Sequence, residues 1–275
     1  MAGDEHRMVF DIRGKRRHVV KFVYAILAVL MGLSLFLVTG IGNISDLFGG
    51  GGESGNGAVV YEEQAQRIER KLVKSPEDPE LLSGLMRAQL NAGNQLVEQN
   101  SEGQTVLTAE TISQYQQASD TWSKYLGATE AAKEEPGAGS AQLIVQPLVT
   151  LAESGGGGPE FEANIAAAAE AQEIVAKQRP SLNSWSTLAI YTYFTFDYPA
   201  AEKAEAEAIK LAGSKAQRET LENQLGEYKK RAKAVQKEFK ALEEANKKAN
   251  EATGGQAGKE ALQNPLGGLG GSLAE

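Results

Sequence analysis

The side chains best equipped for chemistry in this 275-residue sequence are carboxylates in closely spaced sets, Glu202, Glu205 and Glu207, then Glu219 and Glu222. Paired carboxyl groups are the machinery of glycoside hydrolysis, one acting as acid and the other as base or nucleophile. That work needs two carboxyls held in different environments. Here the sets fall in helix-surface patterns with Lys and Arg nearby, which reads as solvated faces rather than a cleft. An envelope polysaccharide-active enzyme is therefore the less favoured alternative. Other chemistries are poorly supplied. The chain has no cysteine, so it has no thiol nucleophile, disulfide or thiolate metal ligand. Its two histidines, His6 and His18, both precede a long apolar stretch. The rest of the chain thus has no imidazole for a triad, a general base or a metal. No catalytic residue, cofactor or metal is expected.

The elements that would position such residues are helices. Between residue 59 and residue 249 the chain is rich in Ala, Glu, Gln, Leu and Lys, and helical spacing dominates. Helices are expected near 59–74, 79–93, 108–127, 141–153, 160–178, 182–196, 198–212 and 214–249. No convincing strand alternation is present. Asp78-Pro79 places a capping side chain before a proline at the first helical position. Ser214-Lys215-Ala216-Gln217 has the form of a capping box. The fold class expected is all-α.

The spacing within 182–213 is more specific. Trp185 is followed by Leu188 and Ala189, Asp197-Tyr198 makes a turn, and Ala201 and Ala208 recur on the next helix. This segment resembles a tetratricopeptide (TPR) repeat, a unit of two antiparallel helices about 34 residues long. It departs from that pattern at Thr192, Glu205 and Gly213, where the family has Tyr, an aromatic and Pro. A weaker copy covers Leu82, Leu85, Met86, Ala88, Gly93 and Asn94. It is interrupted by a polar loop of about thirteen residues and resumes at Ala118, Trp122, Tyr125 and Leu126. The pair 141–153 and 160–178 fits least well, because Pro147 interrupts its first helix and Gly155 to Gly158 lengthen its turn. The resemblance implies a TPR-like helical-repeat domain over 59–213, each unit burying its apolar face on the next.

The resemblance also implies a peptide-binding groove lined by the first helix of each repeat. By position, the better repeat offers Asn183, Ser186, Ile190, Tyr193 and Phe194, and the earlier one Glu80, Ser83, Arg87, Leu90 and Asn91. The expected groove set is Arg87, Asn91, Asn183, Ile190, Tyr193 and Phe194. Ile190, Tyr193 and Phe194 would form an apolar patch for a leucine-rich or aromatic peptide. Their alternative role is to pack against the terminal helix. Over 214–252 that helix carries Leu221, Leu225, Tyr228, Ala232, Val235, Phe239 and Leu242 at alternating steps of four and three. Such a seam either caps the last repeat or pairs with a second copy as a coiled coil.

Residues 22–45 contain no charge for 24 positions. As a helix they would span about 36 Å, enough for a bilayer core of about 30 Å. Arg13, Lys15, Arg16, Arg17 and Lys21 flank one side, with no acid from 12 to 21, while Asp46 and Glu53 follow the other. A single-pass transmembrane helix is expected, with the basic segment 1–21 cytoplasmic and the rest extracytoplasmic. A cleaved signal peptide is the rival reading, but the apolar stretch is longer than a signal core needs. A Gly-rich flexible linker at 46–58 and a disordered Gly-rich tail at 253–275 complete the organisation.

Residues 1–21 carry a net charge of +3, so the chain's −8 leaves −11 on residues 22–275. A domain of that sign is not expected to bind nucleic acid. The expected function is a membrane-anchored helical-repeat scaffold for protein–protein interaction in secretion or envelope assembly. Its partners would be an unidentified protein or peptide and the lipid bilayer. The alternative is a homo-oligomeric structural membrane protein held together by the heptad helix.

Overall fold

The computed structural model describes residues 56–100, 105–154 and 159–252. The segments expected to cross the membrane, to link and to form the tail lie wholly or mostly outside them. Among the described residues no helix is long and apolar enough to cross a membrane. The fold is all-α, with eight helices among the described residues: α1 Asn56–Leu72, α2 Pro79–Gln95, α3 Ala109–Ala132, α4 Ala138–Ser154, α5 Pro159–Gln178, α6 Leu182–Phe194, α7 Tyr198–Lys210 and α8 Lys215–Ala252. The polar loop after α2 contains a two-residue antiparallel bridge, β1 (Glu98–Gln99) with β2 (Thr105–Val106), in which Glu98 faces Val106. No periodicity marks it, because two residues per strand are too few to alternate visibly.

Local chemistry sets the helix ends. Asp78 Oδ1 accepts from the backbone N–H groups of Glu80 and Leu81 at 3.0 and 3.1 Å, with Pro79 opening α2. Ser181 and Ser184 cap α6 reciprocally. At α8 the Ser214 hydroxyl accepts from Gln217 N–H at 3.1 Å, but the Gln217 side chain accepts from Gly213 N–H at 2.8 Å. The expected box is thus displaced by one residue on its return bond. Helix α6 stops two residues short of the expected end because Phe196 adopts φ 64° and breaks the ladder. Helix α3 instead runs past Gly127 and ends on Lys133 at φ 59°, where Glu134 N–H closes onto Thr129 O at 2.8 Å. Pro147 does not interrupt α4: the helix is assigned continuously through it, with the ring buried. Proline removes one donor and crowds the preceding turn, and burial among Ile144, Leu148 and Leu151 offsets that cost.

Packing follows chain order. Each helix lies on its neighbours in sequence, and in addition α2 touches α4 and α8 touches α6. One core runs from Leu82 on α2 to Phe239 on α8, and a smaller cluster of Ala65, Leu85 and Ala88 holds α1. Small residues sit where helices approach most closely. A Cβ at Gly93 would stand 2.8 Å from the Tyr115 ring, so α2 and α3 meet at a distance only glycine permits. Ala189, Ala201 and Ala208 are fully buried between α6 and its neighbours. From Ser186 to Phe194 every residue of α6 is buried, since α5, α7 and α8 enclose it. The six described seam residues of α8, from Leu221 to Phe239, are buried in the main core. Phe239 closes the far end, its ring 5.7 Å from Phe161 of α5 and 5.9 Å from Phe196.

Candidate functional site

The expected groove residues do not form one surface. Arg87 is exposed and Asn91 half-buried on α2, which packs on α1, α3 and α4. Asn183 is half-buried at the start of α6, a helix that packs on α5, α7 and α8. Ile190, Tyr193 and Phe194 are 0, 0 and 3% exposed and belong to the core. They do come together, but in the packing role rather than as an open apolar patch. A peptide would reach them only if the neighbouring helices moved. Ser83 is also engaged, its hydroxyl 2.7 Å from that of Ser140, which ties α2 to α4.

The polar tip of Tyr193 is engaged as well. Its hydroxyl donates to Glu205 on α7. The hydrogen bond gives the Glu205 carboxylate a partner at the edge of the core. Burial and the Glu205 carboxylate together hold the Tyr193 hydroxyl well above the ordinary phenol range. The Tyr198 ring lies 6.2 Å from that of Tyr193, with the Lys233 ammonium 5.6 Å from its face. Tyr198 donates to Gln236 Oε1 at 3.2 Å. Glu202 meets Lys229 at 2.7 Å. These contacts fasten α8 across α6 and α7.

The carboxylate sets read as solvated faces carry surface ion pairs. Glu207 meets Lys210 at 2.6 Å, and Glu219 meets Lys215 at 3.6 Å. The Lys229 ammonium holds the Glu202 carboxyl below its usual range. Among the described residues no three Asp, Glu, His or Cys side chains gather as metal ligands would.

One carboxyl outside those sets is electrostatically distinct. Glu153, in the last turn of α4, is half-buried, and desolvation pushes its pKa up to about 7. It forms no ion pair or hydrogen bond among the described residues. Tyr191 on α6 is fully buried, and its hydroxyl is pushed up by burial first and then by repulsion from the Glu153 carboxylate and, once ionised, from Tyr228 on α8. Three titratable groups from three helices therefore share one low-dielectric neighbourhood. The sequence carries a faint signal of this: Glu153 follows Leu148, Val149, Leu151 and Ala152, an acid at the end of an apolar run.

Open clefts also lie among the described residues. One of about 610 Å³ lies between the α1–α2 turn and Glu134, lined by Glu77, Asp78 and Glu80. Another, of about 380 Å³, opens between α3, α4 and α5 over Ile112 and Leu151, with Gln116, Glu160 and Asn164 at its edge. Neither presents a buried polar group.

The fold defines an all-α chain of consecutively packed helices. No protein-family model, curated protein or solved structure matches it.

Proposed function

We propose that this chain is a single-pass membrane protein whose TPR-like helical domain serves as an interaction scaffold on the extracytoplasmic face, in secretion or envelope assembly. The observation that carries the reading is the 24-residue uncharged stretch at 22–45, bounded by five cationic residues on one side and by acids on the other. The consecutive packing of helices, with buried alanines on them, supports a repeat-like scaffold beyond it. The burial of the α8 seam favours a capping role for that helix over a coiled coil with a second copy.

The surface offered to a partner is the open side of α2, where Arg87 and Asn91 remain accessible. The test is cross-linking of the full chain in its membrane, followed by identification of what is captured. Translocon components would support the secretion branch, and cell-wall enzymes the envelope branch. Arg87→Ala/Asn91→Ala should reduce recovery of the partner at unchanged protein level. Equal recovery would remove this surface from the reading. An active cytosolic reporter fused at the C-terminus would overturn the topology itself.

A further inference from the structure

The exposed apolar side chains of this fold are not scattered evenly. Val59 and Val60 in the first turns of α1 are 51 and 59% exposed, and Val106 and Leu107 after the hairpin are 40 and 37% exposed. Contacts of their chain neighbours place all four at the same end of the bundle. The first turn of α1 lies against the last residue of α2: a Cβ at Gly57 would stand 2.7 Å from Gln95 Oε1. The hairpin leaves and returns at that same end. Thr108 Oγ1 donates to Leu96 O at 3.3 Å, and Tyr115 donates to Asn94 Oδ1 at 2.6 Å. Tyr61, half-buried, stands beside them one residue after Val60.

This is also the end from which the chain runs back toward residues 22–45. Ten residues, 46–55, separate that stretch from α1. A Gly-rich chain of that length has a root-mean-square span of about 17 Å, and fully extended it reaches no more than about 35 Å. An anchor that close brings this end of the bundle to the bilayer surface. The opposite end of α1 lies about 25 Å farther along a 17-residue helix.

We propose that the end of the bundle formed by Val59, Val60, Val106 and Leu107 is a lipid-contacting foot, resting on the outer headgroup layer and setting the orientation of the domain. The inference rests on the membrane-anchor reading above. Valine and leucine side chains gain by entering the boundary between headgroups and acyl chains, and the foot provides four of them at the end of α1 that also carries the half-buried Tyr61. By sequence its nearest charged residues are the acids Glu62, Glu63, Glu98 and Glu110, with Arg67 paired to Glu63 at 3.2 Å, so the contact is apolar rather than a cationic attraction to anionic lipid, and it suits a zwitterionic surface.

The chain has no native cysteine, so single cysteines can be labelled cleanly. Val60→Cys and Val106→Cys report on the foot. Val73→Cys is the internal control, because Val73 is 84% exposed at the other end of α1. The full-length chain is reconstituted into phosphatidylcholine vesicles containing lipid with a headgroup-depth quencher, and a fluorophore is read at each site. Labels at 60 and 106 should be quenched by about threefold or more relative to the label at 73, as expected for side chains in the interfacial layer. Equal quenching at the three sites, with the chain retained after a carbonate wash, overturns the foot and leaves the anchor standing. Labels at 60 and 106 shielded from an aqueous quencher but untouched by the lipid quencher assign this end to a protein partner and also overturn it. Release of the chain by carbonate overturns foot and anchor together.

Discussion

Replacing Glu153 by glutamine should make the fold less sensitive to pH. Burial raises the Glu153 carboxyl from its ordinary 4.5 to about 7, so the folded chain holds this proton more tightly than the unfolded chain does. Stability from this group is therefore fully present below about pH 4.5 and declines as pH rises to about 7, above which the penalty is constant. A shift from 4.5 to about 7 corresponds to about 3.4 kcal/mol at 1.36 kcal/mol per unit. Screening at a carboxyl still partly in contact with water brings the expected effect to about 1.5–2 kcal/mol. Glutamine keeps the shape of the protonated acid and cannot ionise. The variant should match the wild type at pH 4.5 and exceed it by that margin at pH 8.5. Unfolding can be followed by the fluorescence of the buried Trp122 in detergent-solubilised full-length protein. Parallel pH profiles for the two proteins would refute the reasoning, because the shared slope would then belong to other groups.

Three further perturbations probe the packing. Gly93→Ala places a methyl carbon 2.8 Å from the Tyr115 ring and should cost about 1–3 kcal/mol in chemical denaturation; no loss would mean that α2 and α3 separate easily. Thr121→Val removes the hydroxyl that donates to Gln89 Oε1 at 2.8 Å in the core and should cost about 1–3 kcal/mol by leaving that amide unpaired. Leu225→Ala empties a fully buried position of the α8 seam and should cost about 2–5 kcal/mol. If α8 is a cap, the molecular mass in sedimentation should not change; a dimer falling apart in this variant would restore the coiled-coil reading.

The helices were legible in the sequence because their periodicity and caps are local properties. Asp78-Pro79 and the seam from Leu221 to Phe239 reappear in their expected places. Features that depend on a distant partner were not legible in the same way. Carrying Ile190, Tyr193 and Phe194 to a groove by position assumed that the first helix of the last repeat keeps an open side. The later helix α8 packs on that helix, and only tertiary structure reveals which of two apolar roles wins. A hint was present nonetheless, since the run from Leu188 to Phe194 has no polar face and a helix apolar all round is an enclosed one. Pro147 misled in the opposite direction, because a local rule about proline yielded to burial in the core. Glu153 leaves only a faint mark in the sequence because desolvation is a property of surroundings rather than of residue type.

The backward crossing of α8 has a consequence for how the molecule is made. Up to Lys210 each helix can settle on the one completed just before it, so assembly can keep pace with emergence of the chain from a ribosome or a translocation pore. The Phe161 ring, laid down much earlier, must wait for Phe239 before both can leave water. Until that last clasp forms, α6 keeps one greasy flank bare, and the nascent protein passes through a brief interval in which it is adhesive.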